Sequence, residues 1–300
     1  MRAPHTMLSS LRKYLLIPKL VKLASSAPRN PQTAWEQYWG RVGATGAEGE
    51  VLWDSGSDHE MHGYVPWLER YLDLDLPVLD VGCGNGSFTR RLAAHFPQAI
   101  GVDVSANAIN RAKHESEGKP NVSFAVCDAT DPNAVEVLRA AIASGSGGGS
   151  VEGTFQEEPD AGDLAGGPDA GGADAEVNVF IRGVLHVLGA QEQAALVRNL
   201  HPLLGRRGRL FLAETDFPGN AVDYVCHLGA TLESIPAPLE GAIRGLPMPG
   251  RFGAEQRRKA FPDAQWELLA EGPATIETRP LKSATETERI PGYFAVLRAR

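Results

Sequence analysis

Cysteine is scarce in this chain, with only Cys83, Cys127 and Cys226 among 300 residues and no C-x-x-C spacing. An odd number without that spacing supports neither a disulfide framework nor a cysteine zinc site, and a reducing cytoplasm is the expected setting. Long apolar runs are also missing. The best candidate, Tyr14 to Ile17, is broken at once by Pro18 and Lys19, far short of the roughly 20 residues a membrane-spanning helix needs. No transmembrane segment is expected. Positive charge is not in excess either, because 29 basic residues face 37 acidic ones for a net charge of −8. Eight of the acids lie between Ser144 and Glu176, where there is no Lys or Arg, so the rest of the chain is neutral. Such a body offers no field for nucleic acid, whose phosphates call for clustered Lys and Arg. What remains is an ordinary globular balance, 43% apolar and 22% charged, enough for one large α/β domain or two small ones.

The acidic stretch is rich in Gly, Ala and Pro and holds one aromatic residue, Phe155, so it has little to bury against the entropy of ordering. It reads as a disordered insertion at 144–176, with an acidic tether for a basic partner as the alternative. Met1 to Pro31 is the opposite: Arg2, Arg12, Lys13, Lys19, Lys22 and Arg29 appear without an acid, and Leu8, Leu11 and Leu15 recur near helical spacing before Pro18 resets the chain. With Trp35, Tyr38 and Trp39, residues 1–56 read as a basic arm and aromatic lid. The arm is a packed lid, a plain surface helix or a weak membrane-surface anchor.

Residues 57–300 read as the main domain. Ser57 and Glu60 suit a capping box opening a helix through Tyr71. Strand candidates follow at 77–81, 99–102, 122–126, 177–181, 208–213, 266–271 and 293–298, with helical patterns at 89–95, 106–115, 133–143 and 191–203. Strands alternating with helices predict a doubly wound, mainly parallel α/β sheet.

The first strand runs into Asp80-Val81-Gly82-Cys83-Gly84-Asn85-Gly86 and then a helix. Glycine at every second position lets the backbone turn sharply and brings a ligand against main-chain N–H groups at a helix N-terminus. Asp103 falls twenty-one residues after Gly82, where a βαβ nucleoside site places its ribose-binding carboxylate. Taken singly, Asp80 and Asp103 also suit helix or turn caps, Asp128 a loop acid, and Cys83 and Cys127 small apolar lining.

Leu79 to Gly86, L-D-V-G-C-G-N-G, resembles motif I of the class I S-adenosylmethionine-dependent methyltransferases. Ile100 to Ser105 resembles the second motif, implying that Asp103 and Val104 serve the ribose side. Ala125 to Thr130 resembles the third, implying Asp128 and Ala129 beside the adenine. The resemblance implies a Rossmann-like seven-stranded sheet with an antiparallel last strand and an N-terminal helical lid. It implies S-adenosyl-L-methionine as cofactor, bound by Asp80, Gly82, Cys83, Gly84, Gly86, Asp103, Val104, Asp128, Ala129 and Arg182.

The fourth strand leads into Arg182-Gly183-Val184-Leu185-His186, and open α/β sheets bind ligands beyond the carboxyl ends of their strands. The Leu185-His186 step, the following helix and Gly208 to Glu214 resemble the arrangement that supplies a general base in small-molecule O-methyltransferases. A neutral imidazole suits that work near neutral pH; the alternative is a structural histidine. There is no N-P-P-Y or D-P-P-Y of base-methylating enzymes and no carboxylate set spaced for magnesium, so neither nucleic acid nor a metal is expected. Residues 216–261 read as an irregular, mostly apolar substrate cap. Tyr224 and His227 there, with Trp39 of the lid, are the candidate acceptor contacts. The expected activity is methylation of a small, partly hydrophobic molecule, at oxygen with His186 as base. The alternatives are carbon or nitrogen methylation in the same site, or a non-methylating cyclase or scaffold.

Overall fold

β-Branched and aromatic runs form the seven strands of one sheet in the computed structural model, which describes residues 13–146, 176–283 and 286–300. The strands are β1 (Val78–Val81), β2 (Ala99–Asp103), β3 (Val122–Val126), β4 (Asn178–Arg182), β5 (Leu210–Thr215), β6 (Trp266–Pro280) and β7 (Thr287–Ala299). Their order across the sheet is β3-β2-β1-β4-β5-β7-β6. All pairings from β3 to β5 are parallel, and β7 runs antiparallel to both its neighbours. Chain order reverses between β1 and β4, which opens a crevice beyond their carboxyl ends.

Ten α-helices accompany the sheet among the described residues: α1 (Ile17–Ala24), α2 (Pro31–Arg41), α3 (His59–Tyr71), α4 (Ser87–Leu92), α5 (Ala106–Glu115), α6 (Ala134–Ser146), α7 (Ala190–Leu200), α8 (Ala221–His227), α9 (Ala237–Gly245) and α10 (Ala254–Ala260). Alternate strand residues serve opposite faces of the sheet. Leu79 and Val81 of β1 join a core with Leu138 and Ile142 of α6 and Leu196 and Leu200 of α7. Val78 joins the other core, with Met61, Tyr64 and Leu68 of α3 and Leu239 and Ile243 of α9.

Five local expectations change. The Ser57/Glu60 capping box does not form: Ser57 Oγ accepts from the N–H of His59 at 3.0 Å, while the Glu60 carboxylate turns inward to Arg182. β6 and β7 run far beyond 266–271 and 293–298. Pro273 is tolerated because β6 is the sheet edge, and Pro291 lies just past the last β5 pair. Residues 216–261 are only partly irregular, since α8, α9 and α10 interrupt the loops, with Pro236 at the N-cap of α9. Pro18 starts α1 rather than ending a helix. Helix α6 extends to Ser146, so the first residues of the expected insertion are helical, and 147–175 lie outside the described residues. Leu8, Leu11 and the rest of the arm before Lys13 lie outside them too.

Candidate cofactor and acceptor site

Leaving β1, the backbone passes through left-handed conformations at Gly82 (φ 73°), Gly84 (φ 55°) and Gly86 (φ 72°), the last being the N-cap of α4. A side chain is excluded on two counts. The φ values disfavour L-residues, and a Cβ on Gly82 would lie 2.4 Å from Val184 Cγ2, one on Gly84 2.8 Å from Trp39 Cζ2. The N–H groups of Gly82 and Cys83 both donate to Val102 O, at 2.8 and 3.0 Å, tying the loop to β2.

Asp103, at the end of β2, accepts from Gly84 N–H through Oδ2 and from Ser105 N–H through Oδ1, each at 2.9 Å. Each carboxylate oxygen keeps a lone pair, the arrangement a vicinal diol requires. Asp128 uses Oδ1 for the N–H and hydroxyl of Thr130, at 2.9 and 2.7 Å. Asp80 accepts from the Thr89 hydroxyl at 2.5 Å. Burial pushes Asp80 up to about 7, with the charge of Asp103 adding to the effect and the Thr89 hydrogen bond opposing it. Burial likewise pushes Asp103 up to about 6, against the Ser105 and Gly84 donors. Cys83 is raised well above its usual value by burial and Cys127 to about 11, so both are inert thiols lining the loop.

These groups share one cavity of about 330 Å³. At one end lie Asp80, the loop from Gly82 to Asn85, Asp103, Val104, Asp128 and Ala129. Toward the other lie His186, Thr215, Tyr224, Met248 and apolar residues of α9. Trp35 and Trp39 of α2 and Trp53 also line it, with ring centroids 5.5 Å apart for Trp35 and Trp53. Glu36 fixes α2 at the start of α5, accepting from Ser105 Oγ at 2.6 Å and Asn107 Nδ2 at 2.7 Å.

At the end of β5, the buried Glu214 organises the turn after β4. It accepts from the N–H groups of Val184, Leu185 and His186, and its Oε2 lies 2.6 Å from His186 Nδ1. A carboxylate only accepts, so Nδ1 donates and Nε2 of the neutral ring is the basic nitrogen. That Nε2 has no protein partner among the described residues. The loop 246–250 is tied to the same residue, Gly250 N–H donating to His186 O at 2.7 Å.

Arg182 lines the cavity, but its fork is taken up within the protein. Nε and Nη2 donate to Glu60 at 2.6 and 2.7 Å, and the guanidinium lies 4.6 Å from the Phe88 ring centroid. Glu60 also accepts from Tyr64 and from Glu277 N–H, both at 2.7 Å. Arg182 thus joins β4 to α3 with its charge compensated, which differs from a free partner for a ligand carboxylate. Of the expected acceptor contacts, Trp39 and Tyr224 line the cavity. His227 does not: its Nε2 meets Arg289 O at 2.7 Å and its ring packs on Phe217. His227 is the last residue of α8, and its ring is held outside the cavity by Arg289 and Phe217. Asp54, which gathers Gly46 N–H, Asn85 Nδ2 and Ser87 Oγ beside the loop, carries no local sequence signal.

The family profile of the methyltransferase domain matches residues 78–146, which hold the glycine loop, Asp103 and Asp128. A structure of an S-adenosylmethionine-dependent methyltransferase from Anabaena variabilis superposes with a TM-score of 0.70, covering 91% of this chain and 97% of that one at 24% identity. The chain has the class I methyltransferase fold. The residues fit S-adenosylmethionine as cofactor: the glycine cradle would be filled by a single Cβ, and the Asp103 carboxylate is held open for a diol. A second structure, from work on conversion of a disulfide bond into a thioacetal group during echinomycin biosynthesis, has a TM-score of 0.54 at 18% identity over 83% of this chain and 84% of that one. Among curated proteins, EEF1A lysine methyltransferase 2 of Mus musculus is 33% identical over 92 residues, 29% of this chain and 36% of the relative. The chain therefore spans little more than a third of that relative's length.

Proposed function

We propose that this protein transfers the methyl group of S-adenosylmethionine to a hydroxyl oxygen of a small, partly hydrophobic acceptor, with His186 as general base. The observation that carries this reading is the pairing of His186 Nδ1 with the buried Glu214 carboxylate at the wall of the cavity that also holds the glycine loop. Asp80, Gly82, Gly84, Gly86, Asp103, Val104, Asp128 and Ala129 would hold the cofactor. When bound, S-adenosylmethionine supplies an electrophilic methyl on a sulfonium, so the chain must supply position and proton removal.

His186 is built for the second task. Glu214 fixes the ring and its tautomer, leaving Nε2 to take the acceptor's hydroxyl proton as the oxygen's electron pair forms the new bond to carbon. The carboxylate then stabilises the imidazolium, a contribution of roughly 10² to 10⁴ in rate for such a base. The apolar wall of Tyr224, Leu239, Ile243, Leu246 and Met248 suits an aromatic or polyketide-like acceptor. Trp35 and Trp39 would close over it as a lid.

Carbon or nitrogen methylation in the same cavity would leave His186 only to orient the acceptor. The lysine specificity in the relative's name favours an amine in a protein chain, although that similarity covers less than a third of this sequence. Release of S-adenosylhomocysteine, measured with hydroxylated aromatics, amines and basic proteins as acceptors, separates these readings. Turnover with hydroxylated aromatics that is lost in His186→Gln supports O-methylation. Turnover only with amines or proteins, or a His186→Gln variant of near wild-type rate, rejects it, and S-adenosylhomocysteine formation with any acceptor removes the scaffold reading.

A further inference from the structure

Four of the eight large apolar side chains left exposed among the described residues lie in one short segment: Tyr14 (43%), Leu15 (65%), Ile17 (42%) and Val21 (62%). They belong to α1 and the helical turn before it, Lys13–Leu16. The inner side of this segment is filled by Leu16 and Leu23, both buried. Ile17 and Val21 are one turn apart, and Tyr14 and Val21 two, so these three form a stripe on the outer side, with Leu15 beside it in line with Lys22. Leu232, also exposed, belongs to a surface hollow shared with Lys13 and Leu16 and extends the apolar area.

Lys19 and Lys22 flank this stripe, exposed and without an acidic partner among the described residues. Lys13 is the exception, held by Asp223. Six basic residues and no acid precede Glu36 in the sequence. A surface that fits this face must offer apolar area and negative charge together. A bilayer containing anionic lipid offers both in one plane. A second copy of the chain, docked symmetrically, would set lysines against lysines.

We propose that the segment Lys13–Ala24 lies flat on an anionic membrane surface, with Leu15, Ile17 and Val21 entering the headgroup boundary and Lys19 and Lys22 meeting the lipid charge. The docking does not depend on the methyl-transfer reading, but it bears on it. Helix α1 packs on α9, Leu23 sharing a core with Leu239 and Ile243 and Ser26 Oγ donating to Arg244 O at 3.3 Å. Leu239, Ala242 and Ile243 of α9 line the cavity. The bilayer would then lie one helix away from the apolar end of the site, within reach of an acceptor that partitions into lipid.

The test is co-sedimentation of the full-length protein with vesicles of phosphatidylcholine alone and of phosphatidylcholine mixed equally with phosphatidylglycerol. Binding to the mixed vesicles only, weakened by salt, is expected. Lys19→Glu/Lys22→Glu should lower partitioning by about tenfold or more, and Ile17→Ser/Val21→Ser should abolish it. Both pairs should leave melting temperature and S-adenosylmethionine binding unchanged, since the altered side chains face solvent. Failure to bind the mixed vesicles, or binding that neither pair weakens, overturns the proposal. So does self-association that the same substitutions abolish while lipid binding is absent, which assigns the face to a second copy.

Discussion

His186 and Glu214 are 28 residues apart in sequence and 2.6 Å apart in space, imidazole Nδ1 to carboxylate Oε2. The carboxylate also gathers three consecutive backbone N–H groups, from Val184 to His186, so it fixes both the turn that carries the histidine and the ring itself. Glu214→Gln places an amide N–H donor against backbone donors and removes the negative charge opposite the ring. The expected outcome is a fall in kcat on the order of 10²-fold or more with S-adenosylmethionine affinity retained. Steady-state kinetics beside a direct binding titration check it. Unchanged kcat would leave His186 without the role assigned to it.

The two buried carboxylates beside the loop set a dependence on pH. Asp80 and Asp103 hold protons more tightly in the folded chain, to about 7 and about 6, than the ordinary aspartate value of 3.8. Folding therefore takes up protons in that window, and their contribution to stability falls as pH rises from about 4 to about 7. Asp80→Asn mimics the protonated form, so its stability should gain on wild type with rising pH, the gap growing by on the order of 1–3 kcal/mol between acid and neutral pH. Thermal melts across that range measure it. A gap that narrows instead would show that Asp80 is ionised at no cost.

In the proposed contact the cofactor hydroxyls would donate to the ionised form of Asp103, so S-adenosylmethionine affinity in the wild type should rise with pH through about 6. Titrations at several pH values read this directly. An affinity independent of pH between about 5 and 7 would contradict the assigned contact.

Much of this arrangement is legible in sequence because it is local. Gly82, Gly84 and Gly86 announce a left-handed loop, and Val122–Val126 and Ala106–Glu115 fall where their residue patterns place them. The Glu60–Arg182 pair is not legible, since it joins residues 122 apart and Glu60 also satisfies a local capping pattern that the fold does not use. Long-range pairing won over local spacing there, because a buried guanidinium needs a carboxylate more than a solvated helix end needs a cap. His227 shows the converse: its residue type suits a site, but its position on α8 sends it to Arg289.

Glu60→Ala strips the partner from a buried guanidinium and should cost about 3–5 kcal/mol. Glu60→Leu combined with Arg182→Met should cost much less, since neither charge is left unpaired. Denaturant unfolding of the two variants beside the wild type decides the matter. Equal losses for the single and double variants would show that packing, not charge, holds α3 to β4.

Gly84→Ala forces a Cβ to within 2.8 Å of Trp39 Cζ2 at a φ of +55°. It should cost about 1–3 kcal/mol in stability. It should also weaken S-adenosylmethionine binding by about tenfold or more, because the loop and lid must part. Gly63→Ala, in open space at a helical position, is the matched control: it should gain up to about 1 kcal/mol in stability and leave S-adenosylmethionine binding unchanged.

In the proposed function one cavity holds S-adenosylmethionine through Asp103 and the glycine loop. Calorimetric titration of S-adenosylmethionine into the full-length protein and its Asp103→Ala variant tests it most directly. The account predicts micromolar, stoichiometric binding to the wild type and its loss in a variant that remains folded. No binding by folded wild-type protein, or binding that Asp103→Ala leaves intact, would contradict it.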